Sequence, residues 1–362
     1  MRTLCIAAAL LLAMSVEAQE RATVYFTKDI SAESLVRIYK ALGVEAQGRV
    51  ALKISTGESE RSNHLRPEFI KPLTDETKAT IVECNTAYGG NRSTTASHRR
   101  AITQRGYDKI ATVDIMDEEG TMNIPTKDQK HIAYDIVGSH LANYDFMINL
   151  AHFKGHAMGG FGGVLKNASI GVAAKSGKCY IHTAGRSTTS PWGGAQDPFL
   201  ESMAAAAQAV HNYFEGKVLY INVMNNLSVD CDCDGNPAKP QMADIGILAS
   251  TDPIALDKAC LDLVFSHANT SGDTSVPLQN RINDRHGTWT VEYGEQIGLG
   301  TQAYNLIDLD NPNGIDKTLN GKGTPLYNVY SVEGKRVLSM ATSLSSLKSG
   351  IYIVNGKKTA IR

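Results

Sequence analysis

Residues 144–167 read YDFMINLAHFKGHAMGGFGGVLKN, and the rest of the chain is organised around this segment. The segment opens with a mainly apolar run, 144–150, whose pattern is typical of a strand that is covered on both faces. Four side chains with acid–base or metal-binding chemistry follow beside several glycines: His152, Lys154, His156 and Lys166. Because ligands of open α/β sheets bind outside the carboxyl ends of the strands, we predict a functional site at this point.

Strand-like and helix-like segments alternate along most of the chain. This alternation predicts an α/β fold with a doubly wound, mainly parallel sheet, arranged in two lobes. The predicted strands cover residues 50–54, 79–84, 109–115, 217–224 and 243–249. The predicted helices cover residues 31–42, 67–73, 97–104, 198–214 and 253–265. The last helix is the best marked, because Asp252 can cap it and Pro253 suits its first turn.

The chain divides into four predicted parts. Residues 1–18 resemble a signal peptide, with Arg2, an apolar run and a small-x-small pattern before Gln19. The α/β domain covers 19–307, with lobes at about 19–140 and 141–307. A linker covers 308–323. A small all-β tail covers 324–362, with predicted turns at 333–334 and at the Asn-Gly pair 355–356.

Charge and cysteine content restrict the partners and the compartment. The formal net charge of -1 argues against nucleic acid as a partner. No segment after the signal reaches the length of a transmembrane helix. We therefore expect an exported protein that is periplasmic, at the cell surface or secreted. Without Cys5 of the signal the cysteine count is odd, so at least one cysteine is unpaired or metal-bound.

The histidines of the central segment suggest more than one role. His152 and His156 are four residues apart, but the glutamate of a His-Glu-x-x-His helix is absent and glycines surround the pair, which favours a loop. The imidazoles could bind a metal, or the glycine backbone could cradle an anion. The alternative is a tight turn whose histidines only form hydrogen bonds. The predicted catalytic residues are His152, Lys154, His156 and Lys166. The predicted substrate-binding residues here are Gly160, Gly162, Gly163 and Asn167.

A second cluster, residues 230–235 with the sequence DCDCDG, also follows a predicted strand. Its thiolates would suit zinc, iron or copper(I). Its acids copy the first half of a calcium loop, but the twelfth position is Gln241 and prolines interrupt the loop, so calcium is the weaker alternative. Export also permits a disulfide between Cys231 and Cys233. The predicted metal ligands are His152, His156, Asp230, Cys231, Asp232 and Cys233.

A third cluster, residues 85–92, follows a predicted strand and leads to a helix. We predict that Tyr88, Arg92 and His98 bind a carboxylate or phosphate, because arginine offers a bidentate fork. The alternative is a solvated loop before a capped helix. Four weaker candidates are Lys53, Glu58, His182 and Asp257. We expect all three clusters to meet in one cleft at the same edge of the sheet.

Five motifs in order carry a family resemblance over residues from about 50 to 264. They are VALKISTGE at 50–58, NTAYGGNR at 85–92, HFKGHAMGGFGGVLKNASIG at 152–171, DCDC at 230–233 and DIGILASTDPIALD at 244–257. In these motifs the chain resembles the domain of unknown function 362 family, in particular its branch of uncharacterised iron–sulfur centre proteins. The family has no assigned reaction. Residues 170–198, where relatives carry a cysteine-rich insert, contain only Cys179, so we expect no ferredoxin-type 4Fe-4S cluster.

Two further resemblances add expectations. A looser similarity to nickel-pincer lactate racemases, which use histidines and a cofactor-bearing lysine, directs attention to His152, His156 and Lys166. The tail, with its GIYIVNGKK run at 350–358, resembles the C-terminal sorting domains of exported Bacteroidetes proteins. That second resemblance implies recognition by secretion machinery.

Together these features lead to one main hypothesis and two alternatives. The main hypothesis is an exported metal- or cofactor-dependent enzyme, a racemase, isomerase or oxidoreductase, that acts on a small anionic substrate. The candidate metals are nickel, iron and zinc. The first alternative is a non-catalytic metal-binding or thiol-redox protein. The second is a surface binding module with a calcium-stabilised loop.

Overall fold

The computed structural model describes residues 21–311, 327–331, 336–341, 344, 347, 349–354 and 357–361. These ranges contain the strands β1 Ala22–Thr27, β2 Val50–Lys53, β3 Thr80–Glu83, β4 Val113–Ile115, β5 Thr121–Pro125, β6 Tyr134–Gly138, β7 Phe146–His152, β8 Lys154–His156, β9 Gly160–Gly162, β10 Val218–Met224, β11 Gly246–Ser250, β12 Tyr304–Asp308, β13 Tyr327–Ser331, β14 Arg336–Ala341, β15 Gly350–Val354 and β16 Lys357–Ile361. The α-helices are α1 Ala32–Ala41, α2 Pro67–Thr77, α3 Thr95–Arg105, α4 Val164–Ala168, α5 Lys175–His182, α6 Gln196–Tyr213, α7 Pro253–Phe265, α8 Val276–Asp284 and α9 Trp289–Gln296.

Eight strands form the central sheet in the order β12-β1-β11-β10-β7-β2-β3-β4. All neighbouring strands pair in parallel except β11, which is antiparallel to both β1 and β10. The mainly parallel sheet predicted from the alternating pattern is therefore confirmed. The register places Lys53 of β2 opposite Asn149 of β7 and Val82 of β3, so three strands end close together.

The sheet separates two hydrophobic cores, as a doubly wound fold requires. On β7, Met147 and Ala151 belong to a core that includes residues of α4, α6 and α7. Ile148 and Leu150 belong to a second core with residues of α1, α2 and α3. Because successive side chains of a strand point to opposite faces, helices cover both sides of the sheet.

Most predicted helices and strands lie where the sequence placed them. Helix α7 begins at Pro253 as predicted, and the carboxylate oxygen Oδ1 of Asp252 accepts hydrogen bonds from the backbone N–H groups of Ile254 and Ala255. Two segments differ from the prediction. Helix α2 runs on to Thr77 despite Pro72 inside it. The predicted strand 109–115 is shorter in the structure, where a 3-10 turn, Tyr107–Lys109, precedes β4, which begins at Val113.

The C-terminal strands form a separate four-stranded antiparallel sheet in the order β14-β13-β15-β16, as expected of an all-β tail. The predicted turns at 333–334 and 355–356 lie outside the described residues, as do the signal segment 1–18 and most of the predicted linker. The division into lobes, linker and tail stays a prediction. Among the described residues, no helix combines the length and the apolar composition needed to cross a bilayer.

Candidate active site

A cavity of about 310 Å³ opens at the carboxyl ends of three neighbouring strands. Lys53, Glu83 and His152, the last residues of β2, β3 and β7, all line it. The three sequence clusters meet here, so the expected convergence on one cleft is found. The predicted site residues that line the cavity are Tyr88, Arg92, His152, Lys154, His156, Gly162, Gly163, Lys166, Asn167, Asp230, Cys231, Asp232 and Cys233.

One side of the cavity is built around the buried carboxylate of Glu83. Its Oε2 lies 3.0 Å from Lys53 Nζ, and its Oε1 lies 3.2 Å from Arg92 Nη1. Oε1 also accepts hydrogen bonds from the backbone N–H and the hydroxyl of Thr56, at 2.7 and 3.0 Å. Burial alone would raise the pKa of the Glu83 carboxyl, but the charges of Lys53 and Arg92 outweigh burial and hold the pKa below its ordinary value.

Arg92 connects this side to the loop that carries it. Its Nε lies 3.2 Å from Glu58 Oε2, and its Nη2 donates to the hydroxyl of Tyr88 at 3.2 Å. The guanidinium is therefore held on three sides by Glu83, Glu58 and Tyr88. Arg92 was predicted to bind substrate, but it is only 4% exposed, and most of its N–H groups already form hydrogen bonds to protein side chains.

A second buried carboxylate, Asp232, links the histidine segment to the cysteine cluster. Its Oδ1 lies 2.8 Å from His152 Nδ1, and its Oδ2 lies 2.8 Å from Lys154 Nζ. Burial favours the neutral acid, but the charges of His152 and Lys154 dominate and keep the pKa of Asp232 below its ordinary value. The other ring nitrogen of His152 faces the carbonyl oxygen of Asn225 at 2.5 Å. Both nitrogens thus face acceptors, which leaves no free lone pair for a metal.

The glycine-rich segment forms a short hairpin, β8–β9, where the sequence favoured an irregular loop. Gly155 allows the hairpin to lie against the backbone of residues 228–229, since its N–H donates to Ser228 O at 2.8 Å and a Cβ atom would come within 2.3 Å of Val229 O. This close approach brings Lys154 and His156 against the cysteine cluster. The close packing of the hairpin therefore explains why residue 155 is a glycine.

His156 is held as a neutral ring with a defined tautomer. Its Nδ1 accepts hydrogen bonds from the backbone N–H groups of Met158 and Gly159, at 3.2 and 2.8 Å. Burial, followed by the charge of Lys166, lowers the pKa of His156 well below its ordinary value. With Nδ1 as acceptor, the proton of the neutral ring resides on Nε2. His156 is thus a hydrogen-bond donor at Nε2.

Lys166 lies on α4, which Asp257 positions from α7. The Asp257 carboxylate accepts the N–H groups of Val164 and Leu165, each at 3.0 Å. Gly163 permits this contact, because a Cβ atom there would come within 2.3 Å of Asp257 Oδ1. Burial, followed by the charge of Lys154, lowers the pKa of the Lys166 amine to about 7. Within the described part of the chain, no hydrogen bond or ion pair involves this amine.

Cys231 and Cys233 form a disulfide at the cavity surface. Each of these cysteines and His156 has a potential donor atom within 4.8 Å of the donor atoms of the other two, which makes them a group that could hold a metal ion. In the disulfide form, however, neither sulfur is a thiolate. Their predicted role as metal ligands therefore stays a prediction for the reduced chain.

The acidic residues of the same loop are already paired. Asp230 Oδ1 lies 3.3 Å from Arg281 Nη1, and its Oδ2 accepts the N–H of Ala238 at 3.0 Å. Asp232 is paired with His152 and Lys154, as described above. The calcium-loop alternative thus lacks free carboxylates at these two positions.

Two predicted substrate-binding residues do not line the cavity. His98 faces inward from α3, where its Nδ1 lies 3.3 Å from Asn85 Oδ1 and burial lowers its pKa to about 3. Gly160 has a φ of 80°, and a Cβ atom at this position would lie only 2.8 Å from the Cα atom of Gly287. A glycine here therefore allows the hairpin to pack closely. Both positions serve packing because they face the protein interior.

Three cavity residues with charged or aromatic side chains were not singled out from the sequence. Glu83 looks like the polar end of a strand, Lys178 lies on α5, and Trp192 comes from an irregular loop. A signal existed only for Glu83, which is the last residue but one of the predicted strand 79–84 and lies two residues before the third cluster. Of the weaker candidates, Lys53 and His182 line the cavity. Glu58 contacts Arg92, which also lines it, and Asp257 holds the first turn of α4, the helix that carries Lys166.

The fold and the cavity define an α/β protein with a polar site at the carboxyl edge of a mainly parallel sheet, where such proteins bind ligands. The chain belongs to the family described as Domain of unknown function (DUF362), whose model matches residues 50–262. The family resemblance seen in the motifs is thereby confirmed at the level of the family.

No curated protein matches the sequence. Among solved structures, the chain is similar to the lactate racemase apoprotein from Thermoanaerobacterium thermosaccharolyticum, with 17% identity and a TM-score of 0.36 over 56% of this chain. The similarity covers 51% of that racemase, so the chain spans about half of its length.

Proposed function

We propose that the protein is an enzyme that binds a small anionic substrate in this cavity, through the amine of Lys166. The observation that carries the proposal is the difference between Lys166 and the other cations of the cavity. Lys53 and Arg92 pair with Glu83, Lys154 pairs with Asp232, and Lys178 donates to the carbonyl of Ala173. Among the described residues of the cavity, Lys166 is the cation that is left for a ligand.

The size and surroundings of the cavity define the class of substrate. A space of about 310 Å³ suits a metabolite with a carboxylate or phosphate group. The neutral ring of His156 offers an Nε2–H donor that adds no charge. Trp192, which is 63% exposed and lines the cavity, offers an apolar face to the rest of the ligand. Anionic charge and small size are therefore the two properties that we assign to the substrate.

The amine of Lys166 is suited to chemistry as well as to binding. With a pKa of about 7, it is present in both the protonated and the neutral form near neutral pH. The protonated form attracts an anion, whereas the neutral form can accept a proton or add to a carbonyl carbon. We propose proton transfer next to a carboxylate, the chemistry of a racemase or isomerase, ahead of an oxidoreductase reaction.

A metal or metal-containing cofactor fits the donor set only after reduction. As the structure stands, His152 has acceptors at both nitrogens, Nδ1 of His156 accepts two N–H groups, and the two sulfurs are joined. We therefore propose nickel, iron or zinc binding only for the chain with Cys231 and Cys233 reduced. Membership of the iron–sulfur branch rests on the sequence motifs, and Cys179 alone in residues 170–198 supports no four-cysteine cluster there.

We also propose that the protein is exported. The proposal is supported by the signal-like residues 1–18 and by the resemblance of the tail to a sorting domain. N-terminal sequencing of the protein recovered from cell fractions and culture medium tests this. A mature chain that starts near Gln19 supports export, and an intact N-terminus in the cytoplasmic fraction contradicts it.

Titration calorimetry tests the anion site. Oxalate, 2-hydroxypropanoate and inorganic phosphate serve as probes for the wild type, Lys166→Met and the control Lys127→Met, whose lysine is exposed and outside the cavity. We expect at least one probe to bind, with affinity reduced about tenfold or more by Lys166→Met and unchanged by the control. Equal binding by all three proteins contradicts the proposal. Conversion of a bound 2-hydroxy acid, followed by chiral chromatography, then tests the reaction class.

A further inference from the structure

We propose that the Cys231–Cys233 disulfide is a thiol–disulfide exchange centre, which accepts two electrons from a small dithiol that enters the cavity. This inference goes beyond the proposed function and does not depend on it. It rests on where the disulfide lies, on what holds its loop and on the groups around its sulfurs.

The disulfide is not needed to hold its loop in place. It joins residues only two apart in sequence, so it removes little conformational entropy from the unfolded chain. The loop is fixed by other contacts to the 58–62 segment. The N–H of Glu58 donates to Asp232 O at 2.8 Å, and the hydroxyls of Ser59 and Ser62 donate to the carbonyls of Gly235 and Asp234 at 2.6 and 2.7 Å. Reduction should therefore leave the loop in its place.

The two sulfurs differ in their access to the cavity. Both cysteines line it, but Cys231 is only 4% exposed whereas Cys233 is partly exposed. A thiolate that enters the cavity therefore reaches the sulfur of Cys233 first. Cys231 is then the leaving group, and its thiolate forms in the interior.

The surroundings of Cys231 suit a thiolate. The backbone N–H of Cys233 donates to Cys231 Sγ at 3.2 Å, and this hydrogen bond becomes stronger when the sulfur carries a charge. A ring nitrogen of His156 lies within 4.8 Å of both sulfurs. The amines of Lys154 and Lys166 line the same cavity. An N–H donor and nearby cations stabilise the negative charge that develops on a leaving sulfur.

The exchange proceeds in two balanced steps. A thiolate of the dithiol attacks Cys233 Sγ, so that a bond forms between the two sulfurs while the Cys231–Cys233 bond breaks and its electron pair remains on Cys231. The second thiol of the donor then attacks the mixed disulfide and releases Cys233, and the donor leaves as a cyclic disulfide. The two protons of the donor end on the protein thiols or in solvent. The protein is reduced by two electrons and the dithiol is oxidised by two.

The other cysteines in the part of the chain that the structure describes do not compete for this role. Cys84, Cys179 and Cys260 are free thiols, and all three are buried. Burial raises the pKa of Cys84 and of Cys260, which keeps these thiols protonated and unreactive. Exchange is therefore confined to the pair at the cavity surface.

Native-state reduction of the full chain tests the proposal. The protein is incubated with dithiothreitol without denaturant, separated from the reagent by rapid desalting and labelled with N-ethylmaleimide at neutral pH while still folded. The labelled peptides are then identified by mass spectrometry. We expect Cys231 and Cys233 to be labelled within minutes, with Cys84, Cys179 and Cys260 unlabelled and the thermal midpoint shifted by less than about 3 °C. Cys179→Ser is the control and should show the same rate. A disulfide that resists dithiothreitol until denaturant is added overturns the proposal.

Single-cysteine variants of the pair test the order of attack. Cys231→Ser leaves Cys233 free, and Cys233→Ser leaves Cys231 free. With oxidised glutathione, we expect Cys233 to form the mixed disulfide at least tenfold faster than Cys231. Equal rates, or a faster reaction at Cys231, overturn the assignment of Cys233 as the attacked sulfur. If either variant does not fold, the wild-type labelling experiment alone decides whether the disulfide undergoes exchange.

Discussion

Buried or partly buried cationic side chains line both sides of the cavity, but they have different roles on the two sides. On one side, in the Glu83 cluster (Lys53, Glu83 and Arg92), a buried carboxylate is paired with two cations. On the other side, Lys166 has no ion-pair partner among the described residues, and the disulfide lines the same cavity. A buried charge that is fully paired supports the fold. A cation that is left unpaired at a cavity is available for a ligand, at a cost in stability.

Removing the carboxylate of the Glu83 cluster should have the largest effect on stability. Glu83→Ala leaves Lys53 and Arg92 buried without their shared anion, and breaking such a pair costs about 3–5 kcal/mol. Urea denaturation measures the free energy of unfolding. The control, Glu60→Ala, removes an exposed carboxylate and should change it by less than about 0.5 kcal/mol. A loss at Glu83 as small as that of the control contradicts the structural role of the cluster.

Asp232→Asn should have the next largest effect, and that effect should depend on pH. The substitution removes one charge from the contacts with His152 and Lys154, and we expect a loss of about 2–3 kcal/mol at pH 6. Because the folded-state pKa of Asp232 lies below the unfolded value of about 3.9, its contribution is present above that pH and lost as the pH falls. The deficit of the variant relative to wild type should therefore narrow below about pH 4. A deficit that stays constant down to pH 3 rules out this linkage.

Lys166→Met should have a smaller effect of opposite sign. The folded-state pKa of about 7 lies below the unfolded value of about 10.4, so the unfolded chain binds more protons between these values and the wild type gains stability as pH rises through this window. We expect the variant to be more stable than wild type at pH 6.5, by an amount on the order of 1 kcal/mol after solvent screening, and the gap to close towards pH 10. Thermal unfolding over this pH range measures the gap. A variant that is less stable at every pH shows that Lys166 is paired.

Thr94→Ala gives the scale of an ordinary surface effect. Thr94 caps α3, since its hydroxyl oxygen accepts the N–H of Ser97 at 3.2 Å, and it is exposed to solvent. Losing such a cap costs about 0.5–1 kcal/mol. Urea denaturation of this variant shows how far the Glu83 effect exceeds a local one. Should the two losses be equal, the contrast between a buried charge cluster and a surface contact would not hold.

The alternating pattern was enough to predict the fold, because apolar periodicity and capping residues act locally. Strand β7 and helix α7 were recognised by such signals. The antiparallel direction of β11 could not be predicted, since strand order and direction depend on contacts between distant segments. The 3-10 turn at Tyr107 was also missed, and the buried side chain of this residue contacts a distant segment through Leu65.

For the site, the sequence predicted which segments meet but not how their charges pair. His152, Lys154 and Lys166 were recognised because they follow a buried strand beside glycines. Nothing in the sequence showed that Asp232 would form an ion pair with Lys154 and that Lys166 would have no anionic partner among the described residues. In the same way, the ion pairs of Arg92 with Glu83 and Glu58 depend on how separate segments of the chain pack together. Residues of this kind acquire their roles only from the packed structure.

The most direct test of the central claim is reductive trapping with glyoxylate, a small anion that carries an aldehyde. At pH 7, the neutral amine of Lys166 should form an imine with bound glyoxylate, which cyanoborohydride reduces to a stable carboxymethyl group. Peptide mass spectrometry then locates the label. The account predicts that Lys166 is labelled first, ahead of Lys53, Lys154 and the exposed lysines, and that oxalate slows the labelling. Labelling confined to surface lysines, with Lys166 unmodified, would contradict it.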